Sequence, residues 1–167
     1  SGKFTKATDF LVRHKINTDK LKKKIRDFNK LTVTVVGDLI VDEYITCDPV
    51  GMSHEDPTMV VTPIDKIKFV GGAGIVAKHA ASFGAKVNFF TIVGNDKEKT
   101  FVEKDLKKYS NLNASLVTDE SRPTTLKQRY RAEGKNVLRV SHLHQRGISL
   151  ELQEKLFEGI RDKLEGL

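Results

Sequence analysis

The chain has 167 residues, of which 38% are hydrophobic and 31% charged. That suffices for one domain with a buried core, is scarcely enough for two, and is too apolar for wholesale disorder. No apolar run approaches the ~20 residues of a membrane-spanning helix, and Ser1-Gly2-Lys3 opens the chain without an apolar signal core. That absence leaves no membrane partner expected, and a single cysteine, Cys47, excludes an internal disulfide and a cysteine-rich zinc site, so a reducing, cytoplasmic setting is expected. The formal net charge of +7 sits wholly in residues 1–30, where ten Lys/Arg face three Asp; residues 31–167 hold nineteen of each sign.

In the basic segment 1–30, Leu21, Ile25 and Phe28 stand at helical spacing, with Thr18 or Asp19 placed to cap the helix start. Lys20, Lys22, Lys23, Lys24 and Arg26 take its other faces. A basic arm attracts nucleic acid or an anionic membrane by counterion release. The plainer reading is a helix that docks one stripe on a neighbour and keeps its lysines in water. No aromatic side chain interleaves with the lysines to stack bases, so nucleic acid is not an expected partner.

Leu31–Val36 is β-branched and stops at Gly37, the pattern of a buried strand. Residues 43–70 alternate polar and apolar in short runs broken by Pro49, Pro57 and Pro63, which suggests short antiparallel strands of a flap. After the glycines at 71, 72 and 74 comes a small-residue helix through Phe83, closed by Gly84. Val87–Val93 is the next buried strand and Lys97–Tyr109 an amphipathic helix through Phe101, Leu106 and Tyr109. Leu116-Val117 is a short strand. Thr124–Arg131 and Val137–Val140 form a pair joined around Glu133-Gly134-Lys135. Ser149–Leu164 is amphipathic, with Leu152, Leu156, Ile160 and Leu164 on one side. This order describes an α/β layer fold with a β appendage. A closing helix of βαβ type calls for a further parallel strand, so the chain is expected to be the N-terminal portion of a larger α/β unit, or to have a partner that supplies the rest.

Three polar clusters carry chemistry. Asp38 and Asp42 follow the first strand, where open α/β sheets bind ligands; they suit sugar hydroxyls or a metal, unless Asp38 caps a turn and Asp42 pairs with a lysine. Gly72-Ala-Gly-Ile-Val-Ala77 fits the dinucleotide fingerprint G-x-G-x-x-A, with Asp96 about twenty residues on. The same glycines equally suit close backbone approach to a polyhydroxy ligand, or tight helix packing. Lys127, Arg129 and Arg131 fall on one face of a strand, joined by Arg139 from its neighbour; they suit an anion such as a phosphate ester, or a solvated edge. His142 and His144 share a face without a third ligand, and Cys47 has no nucleophile context.

Four ordered stretches resemble the ribokinase-like carbohydrate kinases, also called the phosphofructokinase B superfamily. They are Val36-Gly-Asp-Leu-Ile-Val-Asp-Glu-Tyr44, Met52-Ser-His-Glu-Asp-Pro57 with Met59-Val-Val61, the glycine signature, and Arg122-Pro-Thr-Thr-Leu-Lys-Gln-Arg129 with Val137-Leu-Arg-Val140. In the signature, Gly71-Gly72-Ala73 is followed by Ala77, then six residues to Gly84 and nine to Gly94. The second and fourth stretches are similar to the heptose phosphate kinase branch. The resemblance runs from about Leu31 to the end.

The resemblance implies the N-terminal part of a three-layer αβα fold with a small antiparallel β lid, in residues 31–167, the lid strands lying within 43–70 and 124–140. It implies a sugar or sugar phosphate acceptor and a homodimer through the lid. It also implies that Asp42 grips sugar hydroxyls, that Gly71 and Gly72 back the sugar, and that Lys127 and Arg129 stand near the sugar or its phosphate. ATP and Mg2+ belong to the parent enzyme on this reading, and this chain requires neither. Two departures bear on function. The pattern has Asn where this chain has Ile75, and Ile cannot hydrogen-bond a hydroxyl. The pattern also carries a Gly-Ala-Gly-Asp-like segment with the general base and anion hole, which nothing in residues 95–167 matches. The chain alone is therefore expected not to transfer phosphate, with a non-catalytic binding or dimerisation module as the alternative.

Overall fold

The computed structural model describes residues 7–165 and contains two sheets. In chain order the elements are α1 (Ala7–Arg13), α2 (Thr18–Asp27), β1 (Thr32–Val36), β2 (Leu39–Met52), β3 (Met59–Gly72), α3 (Ala73–Ser82), β4 (Lys86–Val93), α4 (Lys97–Leu106), β5 (Leu112–Thr118), β6 (Leu126–Ala132), β7 (Lys135–His142) and α5 (Leu150–Glu165).

The first sheet is parallel, in the order β1-β4-β5. Its central strand β4 alternates faces. Val87, Phe89 and Val93 are buried with Gly74, Ala77 and Ala81 of α3 and with Val102 and Leu106 of α4. Phe90 points the other way, under Gly159 of α5, where an added Cβ would stand 3.1 Å from its ring. Helices therefore cover both faces, giving three layers. Small residues make the α3 contact possible: a Cβ on Gly74 would reach 2.9 Å from Leu39 Cδ1. The expected buried strand at 31–36 is instead an edge. β1 pairs only with β4, and its two ends are exposed because nothing among the described residues covers its outer side.

The second sheet, order β3-β2-β6-β7, holds the strands expected to form the lid. Here the short strands expected over 43–70 are two continuous strands of fourteen residues, paired antiparallel from Leu39↔Gly72 to Met52↔Met59. Shifts of register at Thr46/Cys47 and Pro49/Gly51 absorb the prolines. Pro63 lies on the edge strand β3, and Pro49 lies beyond Thr46, the last residue of β2 that pairs with β6, so neither removes a needed ladder bond. β2 and β6 run parallel, while β2–β3 and β6–β7 are antiparallel, so the lid is a mixed sheet. The β6–β7 turn uses left-handed Glu133 (φ 48°) and Gly134 (φ 77°).

Other boundaries move for local reasons. The cap of α2 is Asn17, whose side chain accepts from the Asp19 and Lys20 amides, rather than Thr18 or Asp19. Helix α4 ends at Leu106, short of Tyr109, and the strand glimpsed at Leu116-Val117 spans all of β5. The apolar stripe of α2 is not docked. Only Phe28, in the 3-10 turn that follows, packs on the body, edge-on to Phe83 at 5.7 Å.

Candidate functional site

Strand alternation sorts the lid into two faces. On one, Asp42 and Tyr44 of β2 stand beside Lys127 and Arg129 of β6, through the pairs Asp42↔Lys127 and Tyr44↔Arg129. Phe69 of β3 is opposite Asp42, and Arg139 of β7 is opposite Arg129. The Arg129 Nη1 donates to Asp42 Oδ1, and both side chains are about four-fifths buried. That bond holds the Arg129 proton more firmly than usual. The Arg129 guanidinium also lies over the Tyr44 ring at 5.1 Å, with Arg131 at 6.0 Å, and Tyr44 meets Phe69 edge-to-face at 5.9 Å. The spacing argument for Lys127, Arg129, Arg131 and Arg139 thus holds as geometry. Asp42 pairs with an arginine, not with a lysine.

The glycines are shaped by the same strand. Gly71 is buried, and a Cβ there would overlap the Asp42 carboxylate. Gly72 is the N-cap of α3 with φ 58° and ψ −138°, and a Cβ there would strike the Asp38 carbonyl oxygen. That carbonyl accepts from the Ala73 amide at 2.9 Å. Asp38 therefore serves the turn through its backbone, while its residue lines a cavity of about 160 Å³ with Gly37, Arg122 and His144. Ile75, in the first turn of α3, is 39% exposed. Sequence reasoning missed Tyr44 and Phe69; their period-two spacing from Asp42 and Gly71 was the available signal.

The dinucleotide reading fails. The fingerprint helix α3 follows β3, a strand of the antiparallel hairpin, and not a strand of the parallel sheet. Asp96, its supposed ribose ligand, is occupied. It caps α4 by accepting from the Lys99 amide at 2.9 Å, and it accepts from the Thr124 amide at 2.7 Å. Burial raises the Asp96 pKa, but these bonds outweigh it and hold the carboxyl below its ordinary value. Thr124 in turn accepts from the Gly94 amide at 2.9 Å, so this knot sets where β6 begins.

The opposite face of the lid carries a second polar group. Lys68 Nζ bonds buried Glu98 of α4 at 2.9 Å and lies 3.6 Å from buried Glu43 of β2, which accepts from Gln128 at 2.6 Å. Gln128 meets His142 at 3.0 Å, and His144 accepts from the Arg146 amide. Cys47 is buried against the Ile45 carbonyl. Among the described residues no helix is long and apolar enough to cross a membrane.

No protein-family model matches the chain. By sequence it is 31% identical over 143 residues to "Bifunctional protein HldE" of Rhodopseudomonas palustris (strain BisB5), covering 84% of this chain and 29% of that protein. It is 32% identical over 133 residues to the protein of the same name in Helicobacter pylori (strain HPAG1), covering 80% and 29%. The chain thus spans under a third of the length of these curated relatives. Among solved structures it resembles a carbohydrate kinase from Agrobacterium tumefaciens, with TM-score 0.55 and 14% identity over 66% of this chain and 35% of that one. It also resembles a nucleoside kinase from Methanocaldococcus jannaschii, described as an archaeal member of the ribokinase family, with TM-score 0.52 and 19% identity over 68% and 36%. Lid strands, glycine turn and three-layer sheet agree with these likenesses, and the chain carries one part of the ribokinase-like fold.

Proposed function

We propose that this chain is the acceptor-binding and lid portion of an ATP-dependent carbohydrate kinase, taking a sugar or sugar phosphate such as a heptose phosphate. The observation that carries this reading is the Arg129–Asp42 bond laid across Gly71 on one lid face. Arg129 fixes one carboxylate oxygen and leaves the remaining lone pairs of Asp42 to accept from sugar hydroxyls. Gly71 admits the Asp42 carboxylate against its own backbone and Gly72 permits the turn into α3, and the sugar is proposed to lie against this pair. Lys127 forms no ion pair among the described residues, and with Arg129 it supplies cations to a phosphate ester. Residues 31–167 form this unit and residues 1–30 a separate basic segment.

ATP supplies the transferred phosphoryl group in this reaction and Mg2+ neutralises its charge. No group of three or more His, Cys, Asp or Glu side chains gathers to hold a metal among the described residues, so no step is assigned to Mg2+ on this chain. Without the general base and anion hole, the chain binds its acceptor and does not phosphorylate it. Calorimetric titration of the chain with heptose phosphate and other sugar phosphates tests the reading, with NAD as control. Binding that falls at least about tenfold in Asp42→Asn is expected, since a hydrogen bond to a charged group contributes about 1.5–3 kcal/mol. Indifference to every sugar and sugar phosphate sinks it. Robust ATP consumption in a coupled assay overturns the claim of inactivity.

Ile75 favours a second reading, a non-catalytic kinase-like module that dimerises through its lid. An exposed apolar side chain stands where a hydroxyl-binding Asn belongs. Dimerisation without any sugar affinity, in the native chain and in Ile75→Asn alike, selects that module.

A further inference from the structure

The first thirty residues carry the whole net charge of the chain, and helix α2, with five of their ten cations, leaves its apolar side uncovered. In α2, Leu21 is 45% and Ile25 43% exposed, and no residue of the helix is buried. Ile16 precedes the Asn17 cap and is also exposed; residues at that position and at Leu21 lie on the same side of a helix start. Ile16, Leu21 and Ile25 thus make one apolar stripe two turns long. At 3.6 residues per turn, Lys22 and Lys24 flank the stripe on its two sides, while Lys20, Lys23 and Arg26 project behind. Phe28 would extend the stripe, but it is spent on Phe83 of the body. That contact anchors the C-terminal end of the helix, with Asn29 lying close to Gly84.

We propose that α2 lies along an anionic lipid surface, with Ile16, Leu21 and Ile25 entering the acyl boundary and its lysines on the headgroups. The shape selects the partner. A helix seated in a protein groove uses anchors at i, i+4 and i+7, and here the third is already held by the body. What remains is short and flat, bordered on both sides by long cationic side chains that can bury their stems and keep their ammonium groups at the interface. Nucleic acid would use the lysines but leave the stripe in water, and Phe28 at the end of the helix is engaged with Phe83. The rest of the chain is electrically neutral and does not repel an anionic surface. The lack of a spanning helix, from which no membrane partner was expected, concerns crossing a bilayer and not lying on one.

The test is co-sedimentation of the full chain with vesicles of phosphatidylcholine alone, and of phosphatidylcholine mixed with phosphatidylglycerol. Two variants accompany it, Leu21→Ser with Ile25→Ser, and Lys22→Gln with Lys24→Gln. All four positions are exposed, so unchanged circular dichroism and melting serve as the folding control. Binding to the mixed vesicles only is expected, weakened by salt. The lysine pair is expected to lower it by more than about tenfold, each cation near an anionic surface being worth about fivefold. The serine pair is expected to lower it by at least about tenfold. Failure to bind, equal binding to neutral vesicles, or insensitivity of binding to either pair overturns the proposal. So does tighter binding to single-stranded DNA that the serine pair leaves intact, which would transfer the segment to nucleic acid.

Discussion

Asp42 has one oxygen bonded to Arg129 and the other over the α-carbon of Gly71, so the smallest change at that glycine reaches the carboxylate. Gly71→Ala is expected to displace Asp42 and weaken sugar binding while costing roughly 1–3 kcal/mol of stability by overpacking. Gly72→Ala meets backbone instead of a side chain, at a left-handed φ of 58°. It should cost about 3 kcal/mol, read from denaturant midpoints. Equal effects of the two substitutions would contradict this account. The carboxyls of Asp96 and Asp119 give a pH dependence. Asp119 accepts from the Ser121 hydroxyl and amide and from Arg122 Nε, and these bonds hold it below its ordinary value. A folded-state pKa below the unfolded one stabilises the fold above the unfolded value, near 4, and that contribution fades as pH falls through the folded value. The melting temperature should therefore drop below about pH 4, and less steeply in Asp119→Asn. A flat profile down to about pH 2 would exclude the effect. At this scale the residue types were legible in the sequence. The Arg129–Asp42 bond was not, because it joins positions 87 residues apart.

The lid hairpin and the α/β layer share the core through Leu39, Val41 and Val70, and the Lys68–Glu98 ion pair also crosses between them, which makes the joint testable. Lys68 of β3 reaches across to Glu98 of α4 while lying near Glu43, so it is the one cation between two buried carboxylates. Lys68→Met leaves those charges facing each other and is expected to cost roughly 2–3 kcal/mol, the lysine being partly exposed. A neutral outcome in urea denaturation would mean that the lid does not depend on this bridge. Asp96 does two tasks, capping α4 and holding the Thr124 amide ahead of β6. Asp96→Ala should therefore cost about 2–4 kcal/mol, more than the ~1 kcal/mol of a helix cap alone. Element types were mostly readable, since β-branched runs and small-residue helices have their own periods. Element lengths in the lid were not. Pro49 and Pro63 look like strand breakers until register shifts and an edge position absorb them.

At the scale of the whole molecule, two surfaces invite a second copy. Among the described residues no strand pairs with the outer side of β1, and the lid hairpin exposes Met52, Met59, Val60 and Ile64. A homodimer through the lid is the proposed assembly, and light scattering should show self-association that Val60→Lys with Ile64→Lys abolishes. A clean monomer, or a dimer indifferent to those charges, would refute it. By itself the sequence determined the layer order, the glycine turn and the placing of Lys127 and Arg129 on one strand face. Each of these follows from local chemistry: β-branching, the steric freedom of glycine, and alternation of side chains along a strand. Tertiary structure alone decided that β1 is an edge, that β2 and β6 run parallel, that Asp42 meets Arg129, and that the stripe of α2 stays bare. Those outcomes depend on which distant segments come together, and a one-dimensional pattern holds no term for such pairings.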